Sequence, residues 1–336
     1  WPQKVSVNYE EESMKFTEDK LKLFAAPLSE TENQKCLNAI GMIRDSLNMM
    51  GFTDDGKSVS RLYEDTYAYS LEMRSTSGSG KIKLFIQGSY ANNTNVRTQS
   101  DVDIAVVQEE VFTTKYRSTI SSSQADSDYG FTVVPTSLKS FKDEVEECLR
   151  YKFSSDVERK NKSVKVNGNT YRKDADTVPC KRYRDYRNDY SKNADNFIGG
   201  IFITPDKGST IVNFPEQHIL NGKKKNNETN TYYKKMVRII KNIRYLMSDC
   251  GYSSSDNVSS FGLESLLWNV PNEIFMKYSI YRYSFDEIVS YLYENQSLVA
   301  SYKEANGIKN LCQTAVEAEN YRLYIRDLKK FYEYDI

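Results

Sequence analysis

The sequence has a single histidine, His218, in 336 residues. This scarcity restricts the chemistry, because Ser-His-Asp or Cys-His catalysis would have to use that one side chain. A structural zinc site is not expected for the same reason. The five cysteines are far apart and include no Cys-x-x-Cys pair. We interpret them as reduced thiols and predict a cytoplasmic protein.

A net charge and long apolar runs are absent as well. The 46 Lys and Arg residues balance 46 Asp and Glu residues, so the surface as a whole is not expected to bind nucleic acid. No apolar stretch approaches the roughly 20 residues that span a bilayer, and the first residues lack the apolar core of a signal peptide. We therefore expect no contact with a membrane.

The pattern of apolar residues changes near residue 213, where we place a domain boundary. The first domain, 1–212, is predicted to mix strands and helices, and the second, 213–336, to be mostly helical. A mobile loop is expected at 109–127. The predicted helices are 29–51, 58–74 and 137–153 in the first domain, and about 229–249, 260–269, 285–294 and 309–334 in the second.

Strands are predicted at 81–87 and 101–108. Asn167-Gly168 is expected to form a type I′ turn in a hairpin between 164–166 and 170–172. A following strand at 174–178 is expected to end at Pro179. A second hairpin is predicted between 200–204 and 210–212.

The most informative feature is a pair of aspartates in the predicted strand at 101–108. Residues i and i+2 of a strand project from one face, so Asp101 and Asp103 are expected to point together. Neighbouring carboxylates repel each other, and a divalent cation between them would relieve that repulsion. Mg²⁺ typically binds one or two carboxylates together with substrate phosphates. The preceding Gly88-Ser89 turn offers backbone N–H groups and a hydroxyl to a phosphate.

A third carboxylate on a neighbouring strand would complete such a site. Asp176 is the best candidate and Asp174 the second, since both share a strand face by spacing. Three carboxylates hold two metal ions, of which one activates an attacking hydroxyl and the other stabilises the leaving pyrophosphate. These residues predict nucleotidyl transfer.

The helix at 229–249 supplies positive charge for a triphosphate. Lys234, Arg238 and Lys241 fall at i, i+4 and i+7, and therefore lie along one face. A solvated helix face is the alternative interpretation of these cations. Ser260 begins the next helix, where a hydroxyl and free N–H groups suit an anion, although the same serine is also a candidate N-cap.

Several motifs resemble those of known families. The polymerase-β-like nucleotidyltransferase superfamily is similar in Gln87–Tyr90, Asp101–Asp103 and Asp176–Pro179. Bacterial cyclic-oligonucleotide synthases, the DncV-like relatives of animal cyclic GMP–AMP synthase, are similar in Asn213–His218, Tyr233–Asn242 and Ser260–Pro271. The resemblance runs from about residue 29 to 271. It implies an α+β fold with a mixed sheet in a nucleotidyltransferase lobe, a C-terminal helical lobe, and an active site in the cleft between them.

The resemblance also implies roles for the acidic residues and the turn. Asp101 and Asp103 would hold two Mg²⁺ ions, with Mn²⁺ as a substitute. Asp176 would bind one of these metals and help to deprotonate the attacking hydroxyl. Ser89, beside Gly88, would bind the triphosphate, and Gln87 would contact a nucleotide. The helix at 29–51 resembles the spine helix that joins the two lobes of these enzymes.

The same resemblance assigns the triphosphate clamp to Arg238, Lys241 and Ser260. Lys234 or Lys235 is the alternative, because helix registers slip in such comparisons. The implied substrates are NTPs, and the implied product is a cyclic di- or trinucleotide that activates a separate effector protein in CBASS anti-phage defence. A regulatory protein partner is compatible with this family. A DNA activator is not expected, because the sequence has no zinc ribbon.

Two alternatives compete with this hypothesis. One is another enzyme of the superfamily, which tails RNA or transfers an NMP to a protein or a small molecule. The other is a catalytically silent nucleotide sensor, although all three acidic positions are present. The sequence leaves open the base selectivity, the 3′-5′ or 2′-5′ linkage, the ring size, the mode of activation and the oligomeric state.

Overall fold

The computed structural model describes residues 15–63, 66–78, 80–96, 101–135 and 139–333. The helices are α1 Glu18–Ala25, α2 Glu30–Met49, α3 Gly88–Ala91, α4 Ser122–Tyr129, α5 Phe141–Phe153, α6 Pro215–Glu228, α7 Tyr232–Asp249, α8 Ser260–Trp268, α9 Asn272–Met276, α10 Tyr281–Glu294 and α11 Ala315–Glu333. The strands are β1 Phe52–Thr53, β2 Ser60–Arg61, β3 Tyr69–Ser75, β4 Lys81–Gln87, β5 Val102–Lys115, β6 Val157–Arg159, β7 Val164–Val166, β8 Ala175–Asp185, β9 Ile198–Ile203 and β10 Ile211–Asn213.

The chain divides into two compact units. The sheet unit comprises the described residues of 29–91 and 98–216, and the helical unit those of 1–28, 92–97 and 217–336. The second unit is therefore discontinuous in sequence. It includes α1 and a short segment, 92–97, that lies in the chain between α3 and β5.

The sheet unit is built on a mixed sheet with the strand order β1-β3-β4-β5-β8-β7-β6. Strand β5 pairs with β8 in parallel, and the other ladders are antiparallel. β2 adds to β3, and β9 and β10 extend from β8. The strands at 81–87 and 101–108 and the hairpin at 200–212 are confirmed. Helix α2 confirms the prediction at 29–51, and it begins with the capping box formed by Ser29 and Glu32.

Two predictions of the type of secondary structure in the sheet unit are wrong. Residues 58–74 were expected to be helical, but they contribute β2 and most of β3. Tyr69, Leu71 and Met73 alternate with more exposed residues in β3, so the period is that of a strand with one buried face. The predicted loop at 109–127 instead continues β5 to Lys115 and then forms α4. The β-branched and aromatic residues at 111–114 favour the extended chain.

The strand that contains Asp176 also differs from its prediction. Pro179 does not end β8, which runs on to Asp185. On one side, Pro179 is the register partner of Val106 in β5. On the other side, β7 pairs only as far as Thr177 and β9 begins its pairing at Lys181. Proline has no N–H to donate, and it is tolerated here because neither β7 nor β9 pairs with it.

The predicted type I′ turn at Asn167-Gly168 is also wrong. Neither residue has the positive φ that this turn requires. Instead, β7 pairs directly with β8, Val166 opposite Ala175, and residues 167–174 form a longer connection. The Gly168 N–H donates to Asp174 Oδ1 at 2.5 Å, so an aspartate side chain closes this loop.

The helical unit confirms the predicted helical character beyond residue 213. Its core is apolar and surrounds α7, whose Met236, Val237, Ile239 and Ile240 are fully buried. Helices α8, α10 and α11 pack on this core. Helix α7 corresponds to the predicted helix at 229–249, and α6 is an additional helix that precedes it. Helix α11 begins at Ala315, later than the expected residue 309. In the described part of the chain, none of the helices combines the length and apolarity that a membrane span needs.

Candidate active site

The pairing of β5 with β8 brings the predicted acidic residues together. Asp103 is the register partner of Asp176 across the parallel ladder, and Asp101 lies just before β5. Val102 lies between Asp101 and Asp103, and Ile104 follows Asp103. Both apolar side chains are fully buried, as expected for alternation in a strand. Sequence spacing left Asp174 and Asp176 as alternatives. Asp176 lies inside β8 and Asp174 precedes the strand, and the choice of Asp176 as the third carboxylate stays a prediction.

Burial and neighbouring charges raise the pKa values of two of these carboxylates. Loss of hydration on burial, followed by the charges of Asp176 and Asp101, raises the pKa of Asp103 to about 7. The pKa of Asp176 is also raised, mainly by burial, although a hydrogen bond from Ser163 Oγ at 3.1 Å opposes the shift. A cluster of this kind favours any cation that neutralises it.

Gly88 leaves room for the Asp103 carboxylate. It follows Gln87, which pairs with Asp103 at the end of β4, and it has φ of +73°. A Cβ at this position would lie 2.6 Å from Asp103 Oδ2. Only glycine meets both conditions without strain. Ser89 follows in the first turn of α3, so the Gly-Ser turn lies beside the acidic cluster as expected.

Lys165 is a member of this cluster that sequence reasoning missed. Its Nζ lies 3.0 Å from Asp101 Oδ2 and 2.8 Å from Asp174 Oδ2. The hydrogen bonds that the ammonium donates to these two carboxylates, mainly the one to Asp174, raise the pKa of Lys165. The same ion pair and the Gly168 N–H outweigh burial and lower the pKa of Asp174. The Val-Lys-Val alternation of β7 was the signal, since it orients the lysine away from the buried valines.

The donor set suits a divalent cation in type. Carboxylate oxygens are typical ligands of Mg²⁺ and Mn²⁺. The raised pKa values of Asp103 and Asp176 mean that a bound cation would stabilise their ionised forms. In the described residues, however, no three His, Cys, Asp or Glu side chains are gathered closely enough to hold a metal ion. Lys165 contacts Asp101 in this arrangement. The assignment of the three aspartates as metal ligands stays a prediction.

The predicted triphosphate clamp lies in the helical unit, and two of its cations are held by neighbouring groups. Arg238 is buried, and its guanidinium donates to Ala25 O at 2.6 Å and Asn93 O at 2.5 Å. Lys241 is 1% exposed, and its Nζ lies 3.0 Å from Glu264 Oε2 and 3.1 Å from Thr94 O. They are therefore not a solvated helix face. Their binding to a triphosphate stays a prediction.

Glu264 is the centre of a buried polar network in the same unit. It accepts hydrogen bonds from Thr94 Oγ1 at 2.7 Å and interacts with His218 Nε2 at 2.8 Å. Burial alone would raise the pKa of Glu264, but Lys241, His218 and Thr94 hold it well below its usual range. Asn92 Nδ2 lies 3.2 Å from His218 Nδ1. The single histidine therefore links the 92–97 segment to Glu264.

The other two clamp residues lie on the same pair of helices. Lys234 is buried in α7, and Ser260 is the first residue of α8. The N-cap of α8 is Ser259, whose side chain accepts from Gly262 N. The interpretation of Ser260 as the cap is therefore wrong, and its hydroxyl is not used for capping.

The mixed sheet, with a Gly-Ser turn next to paired strand carboxylates, places the chain among the polymerase-β-like nucleotidyltransferases. Comparisons with family models agree. Residues 69–167 match the nucleotidyltransferase domain, and residues 220–333 match the cGAS/DncV-like nucleotidyltransferase C-terminal helical domain. The chain belongs to the cGAS/DncV-like nucleotidyltransferase family and is an enzyme of the cyclic nucleotide synthase kind. The predicted fold class, a nucleotidyltransferase domain with a mixed sheet and a helical C-terminal domain, is confirmed.

Individual relatives extend over nearly the whole chain. Cyclic GMP-AMP synthase CdnE03 of Staphylococcus schleiferi is 46% identical over 322 residues, which are 96% of this chain and 98% of that protein. Cyclic dipyrimidine nucleotide synthase CdnE of Cecembia lonarensis is 37% identical over 298 residues, 88% of this chain and 90% of its own. The solved Elizabethkingia meningoseptica CdnE cyclic dinucleotide synthase with GTP and Apcpp is 31% identical. It has a TM-score of 0.69 and covers 95% of this chain and 100% of that chain.

Proposed function

We propose that this protein joins NTPs into a cyclic di- or trinucleotide and releases pyrophosphate, with Asp101, Asp103 and Asp176 as the catalytic carboxylates. The observation that carries this assignment is the register of Asp103 opposite Asp176. It brings residues that are far apart in sequence to one end of the parallel strand pair. Membership in the family supports the reaction type.

The chemistry of each step is a displacement at phosphorus. A 2′- or 3′-hydroxyl of one nucleotide attacks the α-phosphorus of an NTP, a new P–O bond forms, and the bond to the β-phosphate breaks. Asp176 accepts the hydroxyl proton. After one such addition for a dinucleotide, or two for a trinucleotide, a final displacement within the linear intermediate releases its pyrophosphate and closes the ring. Divalent metal ions held by the three aspartates supply Lewis acidity to the nucleophile and the leaving group when bound.

The triphosphate is proposed to bind the Gly88-Ser89 turn, through its backbone N–H groups and the Ser89 hydroxyl, with Gln87 beside the nucleotide. Lys234, Arg238, Lys241 and Ser260 are the proposed clamp. For Arg238 and Lys241, this role requires an exchange of partners, from Asn93 O and Glu264 to phosphate oxygens. Ser260 needs no such exchange of a capping bond, since Ser259 caps α8.

The nucleobases are the least defined part of the reaction. The two curated relatives carry different product names, one cyclic GMP-AMP and the other cyclic dipyrimidine nucleotide. The first is more similar to this chain. We therefore infer that GTP and ATP are the substrates to test first. The linkage and the ring size are to be determined by analysis of the product.

The biological role is proposed from the family resemblance. The product would activate a separate effector protein in CBASS anti-phage defence, and a regulatory protein partner is compatible with this role. A cytoplasmic location is proposed with it, because the NTP substrates and the effector must meet the enzyme there.

The experiment is to incubate the purified protein with the four NTPs and Mg²⁺ or Mn²⁺, treat the mixture with phosphatase, and analyse it by mass spectrometry. A phosphatase-resistant product is expected from the wild type and not from Asp101→Asn or Asp103→Asn. The mass then gives the bases and the ring size. If a folded Asp103→Asn variant keeps wild-type turnover, the assignment of the carboxylates is refuted. Linear products extended from an added RNA would support RNA tailing instead.

A further inference from the structure

The Lys165 ammonium lies between two carboxylates that have different positions in the proposed site. Asp101 is a proposed metal ligand, at 3.0 Å from Nζ, whereas Asp174 precedes β8 and lies 2.8 Å away. The lysine side chain is 17% exposed, and the two aspartates are 30% and 38% exposed. The ammonium is therefore shared, and it is partly shielded from water.

The position of this ammonium is set by the backbone. Val164 and Val166 on either side of Lys165 are buried, and Lys165 is the register partner of Asp176. Asp174 is held in turn by the Gly168 N–H at 2.5 Å. If the lysine side chain moved out to solvent, it would lose two charge-assisted hydrogen bonds.

We propose that Lys165 and Asp174 together set the affinity of the Asp101–Asp103–Asp176 cluster for divalent cations. Lys165 competes with the cation for Asp101, and Asp174 weakens that competition because it offers the ammonium a second partner. Both are positioning residues rather than metal ligands. This inference rests on the proposed function of the cluster. It adds Lys165, to which the sequence motifs give no role, and gives Asp174 a role other than that of a metal ligand.

The electrostatic argument predicts effects of opposite sign. A divalent ion bound at Asp101 would lie close to a fixed positive charge, and like charges repel. Coulomb's law for charges of two and one, about 6 Å apart in a water-like dielectric, corresponds to about a tenfold change in affinity. Removing Lys165 should therefore strengthen cation binding. Removing only Asp174 leaves the ammonium to Asp101 alone, and should weaken it.

The test measures the binding of Mn²⁺ to the full chain without nucleotide, and electron paramagnetic resonance quantifies the free Mn²⁺. Binding that is absent from Asp103→Asn is taken as binding to the cluster. We expect Lys165→Met to lower the Kd about tenfold and Asp174→Asn to raise it about threefold. In the Lys165→Met background, Asp174→Asn should have a smaller effect, because only the direct loss of its negative charge remains.

Two control variants separate charge from fold. Lys165→Arg keeps the positive charge and should have a Kd within about twofold of the wild type. Lys162→Met removes the charge of an exposed lysine nearby in the sequence, and its Kd should also stay within about twofold of the wild type. Circular dichroism verifies that each variant is folded. An unchanged or higher Kd for folded Lys165→Met overturns the proposal. So does an Asp174→Asn effect that is as large without Lys165 as with it, or the absence of Mn²⁺ binding to the wild type.

The outcome is separable from that of the proposed function. If Mn²⁺ binding responds as expected but no cyclic product forms from any NTP, the inference stands and the proposed reaction fails. If product forms and depends on Asp103 but the Kd does not respond to Lys165, the reaction stands and the inference fails.

Discussion

Replacement of Glu264 tests the buried network of the helical unit most directly. Glu264 is 1% exposed and the Lys241 side chain 2% exposed, with 3.0 Å between their charged atoms. Glu264→Gln keeps the shape and removes the negative charge, so the ammonium stays buried beside a neutral amide. Breaking one partner of a buried pair costs about 3–5 kcal/mol. We expect a loss of this size in the free energy of unfolding.

The companion variant removes both charges. In Lys241→Met combined with Glu264→Gln, no charge of the pair is left without a partner, and replacing buried pairs with neutral groups is often close to neutral. We expect the double variant to lose about 1–2 kcal/mol, less than Glu264→Gln alone. With Lys241→Met as the second single variant, a double-mutant cycle isolates the interaction energy of the pair, which is the double effect minus the two single effects.

The assay is urea unfolding followed by the fluorescence of Trp268, which packs against the helical core. Trp1 is the second tryptophan of the chain, so Trp1→Phe is the background for all variants. The folded pKa of Glu264 lies below its unfolded value, so its contribution is fully present above the unfolded pKa and disappears only in strong acid. The loss should therefore be the same at pH 6 and pH 8. A Glu264→Gln protein within about 1 kcal/mol of the wild type, or a double variant that loses the sum of the single effects, refutes the reasoning.

Three further predictions concern the sheet unit. Gly88→Ala places a Cβ 2.6 Å from Asp103 Oδ2 at a φ of +73°, so it should destabilise the protein by about 1–2 kcal/mol and lower turnover at least roughly 100-fold, measured by thermal unfolding and product formation. Asp103→Asn should abolish turnover yet raise the free energy of unfolding of the metal-free protein at pH 8 by on the order of 2 kcal/mol. The reason is that burial and two carboxylates raise the Asp103 pKa to about 7, so wild-type stability falls as pH rises from 4 to 7. An unchanged urea midpoint contradicts this. Glu216 has a lowered pKa, because Arg182 and Lys83 outweigh its burial. Wild type should therefore exceed Glu216→Gln in stability above the unfolded carboxyl pKa of about 4.3, and a difference that persists well below the folded pKa in acid unfolding would be inconsistent.

The sequence predicted most of the site that depends on local pattern. The spacing of Asp101 and Asp103 in an apolar strand was enough to place them on one face, and Gly88 was recognisable as a turn. Long-range pairing decided the rest. The register of β8 against β5 places Asp176 opposite Asp103, whereas spacing alone kept Asp174 as the second candidate. The alternation of β7 indicates that Lys165 faces away from the core, but its contacts with Asp101 and Asp174 depend on the pairing of β7 with β8.

The errors in the fold have the same origin. Residues 58–74 were predicted to be helical, whereas Tyr69, Leu71 and Met73 alternate with more exposed residues as in a strand, and β3 pairs with β4. Pro179 usually ends a strand, and here it is accommodated because β7 stops and β9 starts on either side of it. For Arg238 and Lys241, helical spacing gave their common face, but it did not reveal that residues 25, 93 and 94 would occupy it.

The discontinuity of the helical unit bears on how this family can be recombined. The helical-domain family match begins at residue 220, yet the cations of α7 depend on carbonyls from α1 and from 92–97, and Glu264 depends on His218. A fragment or a chimera cut at 220 would leave an arginine, a lysine and a glutamate without their natural partners inside the transplanted piece. A graft between relatives would have to carry three stretches of the chain together. Substitutions in 92–97 should therefore be inherited with those of α7 and α8, as one module.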